Sequence, residues 1–406
     1  MSSIRNVLAR LTGGLLTLGL VCAAPAWAGV VTTNADAGAG SLRAVLAAAA
    51  SGETITFSLP APSTITLTSG ELPITTSVTI SGPGADALSI FNASGRVFNL
   101  DTSGKTVLIS GVHLSGQNPS GNGGAIINNG GALTLQYVLI DNSSTTGEGG
   151  AVENNYNGSV SYSLTIQNST IANNTANKAG AIAFIGCDLR IENSTIYGNH
   201  ATDSFGAMTL LGGCGYIYNS SIVGNTAAFS VGGINSQSSA LTIESSILAN
   251  NTDSSGINDL NRTGGGNSFV YASNSIFSES FVPADNVLNG SDVNDQVGVD
   301  PQLGALANNG GATPTLRPGP TSPALGLGSN SQGYAYDQRG AGFARNADAS
   351  GAAGNVDIGA IQRYVPAAAP PTPTPALSLW GLIALVTMLG WAARKTRGTA
   401  SCPAAH

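Results

Sequence analysis

Nine charged side chains are scattered through the middle of this chain: Asp141, Glu148, Glu153, Lys178, Asp188, Arg190, Glu192, Asp203 and Glu244. Carboxylates are the groups from which a Ca²⁺ site or an acid–base pair would be built. Cleavage of a polyuronate by elimination needs a carboxylate cluster for the cation and a base for the proton α to the carbonyl. Cleavage by hydrolysis needs paired carboxylates, with a His and an Arg or Lys to hold the uronate. Asp141, Glu148 and Glu153 lie close in sequence, but strand alternation and intervening corners point such side chains in different directions. Asp188, Arg190 and Glu192 alternate and so share one strand face, the pattern of a solvated charge ladder. The expected catalytic set is therefore empty, and no cofactor is expected.

The histidines, His113, His200 and His406, show no ligand spacing with the cysteines, so no metal site is expected. Cys187 and Cys214 are 27 residues apart. That is about one period of the repeat described next, and equivalent sites on neighbouring layers lie about 4.8 Å apart. A Cys187–Cys214 disulfide is expected. Tyr156 sits near asparagines in an insertion between repeats, where it is either a ring for stacking on a sugar or part of a tolerated surface loop.

The elements that must position these residues repeat. Leu164–Ile171, Leu189–Ile196, Tyr216–Ile222 and Leu241–Ile247 align, each followed by an asparagine: Asn174, Asn199, Asn225, Asn251. Small-residue pairs start at Gly123, Gly149, Gly180, Gly206 and Gly232, in steps of 26, 31, 26 and 26. Apolar residues alternate within each copy, which is strand spacing. Each copy reads as one rung of a parallel β-helix, with a right-handed coil. Ile166, Ile191, Ile217 and Ile243 should form one inward column, and Ile171, Ile196, Ile222 and Ile247 a second. Asn168, Asn193 and Asn219, followed by Ser245, should sit at a turn, their amides bonding to one another or to turn backbone. The step of 31 places the insertion around residues 154–161.

Composition agrees. There are 54 glycines among 406 residues, only 9% charged residues and a formal net charge of −7. Acidity without a Lys/Arg cluster in the body argues against a nucleic-acid partner. Residues 1–28 read as a signal peptide, with Arg5 and Arg10, an apolar run, and Ala26-Trp27-Ala28 as a small-x-small cleavage site. Residues 29–104 read as an N-terminal cap and first rungs, with Ser41 capping a helix over Leu42–Ala50 and strands over Thr54–Phe57, Thr64–Leu67 and Ser77–Ile80. Residues 105–299 are the repeats, and 300–363 a loop-rich C-terminal cap in which Asp337, Arg339 and Asp357 fasten loops over the last rung. Residues 364–375 form a Pro-rich linker, 376–393 a transmembrane helix, and 394–406 a basic cytoplasmic tail.

Several phrases carry resemblances. Thr374-Pro-Ala-Leu-Ser-Leu-Trp-Gly381 resembles the bacterial sorting signal Ile-Pro-Thr-Leu-Ser-x-Trp-Gly, matching at Pro375, Leu377, Ser378, Trp380 and Gly381 and departing at Thr374 and Ala376. With the apolar run and Arg394, Lys395 and Arg397, it implies processing by an exosortase-type membrane protease of a Gram-negative bacterium and transient residence in the inner membrane. Asp36–Arg43 and Ile80–Asp86 resemble the opening of secreted bacterial β-helix proteins. Asp300–Leu316, Thr321–Leu325, Asp337–Gly340 and Asp357–Ala360 resemble the choice-of-anchor module that ends many of them. These resemblances imply an exported surface or extracellular protein; with the empty catalytic set, the expectation is a non-catalytic one, adhesive, structural or in contact with surface glycans. The alternative is a polysaccharide lyase or glycoside hydrolase, since many pectate lyases and polygalacturonases are right-handed β-helices.

Overall fold

The computed structural model describes residues 29–155, 163–264, 268–280, 294–346 and 355–363. The chain coils into a parallel β-solenoid of about nine turns. Stacking the turns produces a ten-stranded sheet, an eight-stranded sheet and a sixteen-stranded sheet that covers two sides of the coil.

One rung shows how the sequence makes the shape. Strand Ser163–Gln167 ends at Asn168 (φ 51°), Thr170–Ala172 at Asn173 (φ 56°), and Thr175–Lys178 at Ala179 (φ 54°), before Ile182–Ile185 completes the turn. Asparagine recurs at such corners because its short amide tolerates the left-handed conformation that other side chains avoid. The first corner repeats at Asn193, Asn219, Ser245 and Asn274, all at positive φ.

Between corners, alternation sends every second side chain inward. Ile166, Ile191, Ile217 and Ile243 stand in register and are fully buried. Each such burial stabilises the fold by about 1.5–3 kcal/mol. The second column runs Ile171, Ile196, Ile222 and then Leu248 rather than Ile247. The last copy is offset by one residue, so Ile247 pairs with Ser221 and turns outward. There it joins a separate apolar cluster with Val223, Leu316, Ala324 and Ile358.

The glycine corner is offset in the same way. Gly124, Gly150, Gly180 and Gly206 form the column, and a Cβ on any of them would collide with a carbonyl oxygen of the next rung. Close backbone approach therefore requires glycine here.

At the amino-terminal end, Ser41 accepts a hydrogen bond from the Ala44 N–H and starts a helix over Leu42–Ala48, two residues shorter than expected. Leu42 and Leu46 plug the first rungs. Arg43 binds Asp36 at 2.7 Å and donates to the carbonyls of Gly70 and Glu71. Burial opposes ionisation of Asp36, yet hydrogen bonds from Ser69, Arg43 and Thr68 hold its carboxyl well below the usual range.

The carboxy-terminal segment differs from expectation. Instead of folding over the last rung, it lies along the flank of the stack. Asn168 donates to the Asp337 carbonyl, Asn193 to that of Tyr336, Asn219 to that of Ser329 and Asn274 to that of Leu327. Flank positions are free to bind it because these amides point away from the coil. The self-pairing amide ladder belongs to the other asparagine column: Asn174 donates to Asn199 (2.9 Å), Asn199 to Asn225 (2.9 Å), Asn225 to Asn251 (2.8 Å), and Asn251 to Asp259 (2.8 Å). A parallel serine ladder, Ser169, Ser194, Ser220, Ser246 and Ser275, accepts from the backbone N–H of the preceding rung.

No helix among the described residues is long and apolar enough to cross a membrane. The expected signal peptide with Ala26 and Ala28, the loop with Tyr156, and the sorting residues Pro375, Leu377, Ser378, Trp380, Gly381, Arg394, Lys395 and Arg397 lie outside the described residues.

Candidate ligand-binding face

The outward side of the ten-stranded sheet carries two pairs of aromatic residues. Strands Asp188–Glu192, Cys214–Tyr218, Ala240–Glu244 and Phe269–Ser273 stack in register. Their inward residues, such as Leu189, Ile217, Leu241 and Val270, are fully buried, so the alternate ones face out. One outward column reads Arg190, Tyr216, Thr242, Tyr271. A second reads Asp188, Cys214, Ala240, Phe269, and a third Glu192, Tyr218, Glu244, Ser273. Tyr216 and Tyr218 stack at 6.1 Å, and Phe269 and Tyr271 at 6.4 Å. Phe269 and Tyr271 are exposed.

The charge ladder is real but only partly solvated. Arg190 lies 3.4 Å from Asp188 and 3.9 Å from Glu192, and 4.7 Å over the Tyr216 ring. Glu192 is buried and accepts a hydrogen bond from Gln167. The carboxy-terminal segment overlaps this edge, where Ser331 donates to Glu244 at 2.8 Å. The Tyr334 phenol is pushed up, first by burial and then by Glu192.

Cys187 and Cys214 are free thiols, which corrects the expected disulfide. The rung step here is 26, since Cys214 pairs with Asp188, whereas the cysteines are 27 apart. Cys187 therefore falls in the turn before the strand, one residue out of register with Cys214. That single residue defeats a bridge between equivalent positions.

Of the three carboxylates that are close in sequence, Asp141 stands apart from the other two. Asp141 contacts His113 Nε2 at 2.6 Å, and His113 Nδ1 contacts Ser89 Oγ at 3.1 Å. This has the connectivity of a Ser–His–Asp relay. However, Ser89 is paired in register with Thr64 and His113, so the surrounding backbone N–H groups are committed to the sheet rather than free to hold an oxyanion.

Glu148 and Glu153 do meet, through Asn122. Asn122 Nδ2 donates to Glu153 at 2.8 Å, and the Glu148 N–H donates to Asn122 Oδ1. Glu153 is pushed up to about 7, mainly by burial, with Glu148 adding to the rise and Asn122 and Arg96 opposing it. Arg96 itself is paired with Glu71 at 2.7 Å.

Asn251-Thr252-Asp253 is an Asn-Thr-Asp phrase that sequence reading wrongly took to be absent. Its groups are spent locally: Asn251 ends the amide ladder, and Asp253 accepts from the Ser255 N–H and Asn258.

In the flanking segment Asp337 and Arg339 pair at 2.6 Å, both buried. Asp357 does not join them; it accepts from the N–H groups of Gly326 and Arg363. Sequence reading missed Arg345, which is fully buried and donates to Asn193 Oδ1 and to the carbonyls of Gly359 and Ala360. Burial pulls its pKa down to about 10, against Asp337 and Asp357, which support its charge.

Among the described residues no group of three or more His, Cys, Asp or Glu could hold a metal ion. Compared with protein-family models, curated proteins and solved structures, the chain matches none, so its own residues carry the functional reading.

Proposed function

We propose that this is an exported bacterial surface or extracellular protein, a right-handed solenoid with a choice-of-anchor-like flank, that contacts glycans without cleaving them. The observation that carries the glycan reading is the aromatic ledge of exposed Phe269 and Tyr271 and half-buried Tyr216 on a face ordered by the coil. Aromatic rings offer flat apolar surface to the C–H faces of sugars, while their phenols remain in water. The export reading rests on the terminal phrases: a signal peptide cut after Ala28, and an exosortase-type signal with its apolar helix and basic tail. Mass spectrometry of both termini from native cells tests it, and an intact carboxy terminus in mature protein would remove the sorting step.

The polysaccharide lyase or hydrolase alternative draws on one feature, the Glu148–Glu153 pair with its raised carboxyl. Incubation with polyuronates and neutral glycans, followed by assay of unsaturated and reducing ends, separates the two. No turnover is expected. A glycan array with Tyr156→Ala and Tyr271→Ala variants locates the contact.

A further inference from the structure

We infer that the aromatic face takes a neutral, extended hexose polymer laid along the solenoid axis. This rests on the glycan-contacting reading above and names its ligand class.

The first support is shape. In one column a ring, a small residue and a ring follow one another: Tyr216, Thr242, Tyr271. The neighbouring column places Cys214 and Ala240 beside them before Phe269. Small side chains between two aromatic ends leave a shallow saddle. The two tyrosines are two rungs apart, roughly 9.6 Å along the axis. That is about the length of a disaccharide unit in a flat, extended glycan. One sugar stacks on Tyr216, the next crosses Thr242, and the third stacks on Tyr271. A ligand with a regular repeat suits a surface with a regular repeat.

The second support is charge. The face carries Asp188, Glu192 and Glu244 against one cation, Arg190. Arg190 is engaged by Asp188, Glu192 and the Tyr216 ring. The carboxylates of this face outnumber its cation, and the Thr242 and Tyr271 hydroxyls can donate to or accept from sugar hydroxyls. Uronate, sulfate or phosphate groups would meet like charge. The Tyr216 phenol, pushed up first by Cys214 and then by burial, stays neutral and adds no charge of its own near neutral pH.

Calorimetry of the full chain with β-1,4-linked glucose oligomers, from mono- to hexasaccharide, and with oligogalacturonates as the anionic comparison, tests this. Affinity should rise sharply from the disaccharide to the trisaccharide. Tyr271→Ala should weaken the trisaccharide about tenfold, and Thr242→Trp, which fills the saddle, should abolish its advantage over the disaccharide. Phe229→Ala, an exposed aromatic on another sheet, should change nothing. Tighter binding of oligogalacturonates, or glycan binding indifferent to both Tyr271→Ala and Thr242→Trp, overturns the neutral-polymer assignment and leaves glycan contact standing. Failure to bind any glycan, on these probes and on the array, overturns both.

Discussion

Two columns of asparagine run along this solenoid, six positions apart in each rung, and they do different work. Asn174, Asn199 and Asn225 are buried and bond to the copy of themselves one layer on. Asn168, Asn193 and Asn219 occupy left-handed corners and donate outward, to carbonyls of a segment more than a hundred residues away. Residue type and period are the same in both. What differs is the neighbour. Where the neighbour is another copy, the amide completes a ladder that each rung extends, and stability becomes a nearest-neighbour property. Where it is a unique strip of chain, the amide becomes a docking point, and the contact depends on one match in the molecule. Buried arginine follows the same division. Among the described residues the rungs bury carboxylates such as Glu153 and Asp259 but no arginine, whereas the flanking segment buries Arg339 and Arg345.

The largest predicted effect separates the two regions. Arg345→Leu removes a buried cation and leaves the Asn193 amide oxygen and the Gly359 carbonyl without their donor, while the Ala360 carbonyl keeps only the Gln338 N–H. Loss of about 3–5 kcal/mol is expected in the flank. Hydrogen exchange should accelerate at residues 324–345 and 357–362 while the strands from Leu133 to Leu248 keep their protection. Simultaneous loss throughout the rungs would show that the flank is part of one cooperative unit with the coil.

Asn199→Ala is the reciprocal test. It removes the acceptor of both the Asn174 N–H and the Asn174 side chain. A loss of about 2–3 kcal/mol is expected, read by denaturant unfolding. Exchange should rise in the rungs holding Asn174 and Asn225 before it rises in the flank. A variant indistinguishable from the parent would mean that the ladder is ornamental to stability.

Glu153 tests whether the rungs tolerate a buried acid. Its carboxyl titrates near 7 when folded and at the ordinary value of 4.5 when unfolded. The folded state therefore holds the proton more tightly. Its stabilising contribution is present below pH 4.5 and disappears as pH rises through about 7. Glu153→Gln should flatten that decline, worth about 3 kcal/mol. Melting temperatures measured across this window should converge at low pH and separate toward neutrality. Parallel profiles would place the charge of Glu153 in solvent.

The smallest effect is also the most local. Asn168→Gly keeps the left-handed corner but removes the bond to the Asp337 carbonyl, at about 1 kcal/mol. The change should appear in exchange at residues 336–340 and nowhere in the coil.

Much of the coil was legible because its contacts are between near-copies. Alternation at Leu164 and Ile166 defines an inward face, the next copy repeats it, and register follows once the period is known. The Ser41 cap and the helix starting at Leu42 were similarly local. Legibility failed where one residue of offset decides the outcome. Ile247 looks like its aligned partners but stands one position early, and Cys187 misses Cys214 for the same reason. The saddle between Tyr216 and Tyr271 was also hidden, since neither residue is notable until strands 55 positions apart in sequence stack with Thr242 between them.

The sequence by itself determined that this chain forms rungs, that the rungs stack in parallel, and that their aliphatic residues face inward. Those outcomes depend on period and alternation, which any few neighbouring residues express. Tertiary structure alone decided that residues 300–346 and 355–363 buttress the side of the coil instead of closing its end, that Arg345 is buried between flank and coil, and that Phe269 and Tyr271 lie open to solvent beside a run of small residues. These depend on contacts that occur once, between partners far apart in the chain, and no repeating pattern announces them.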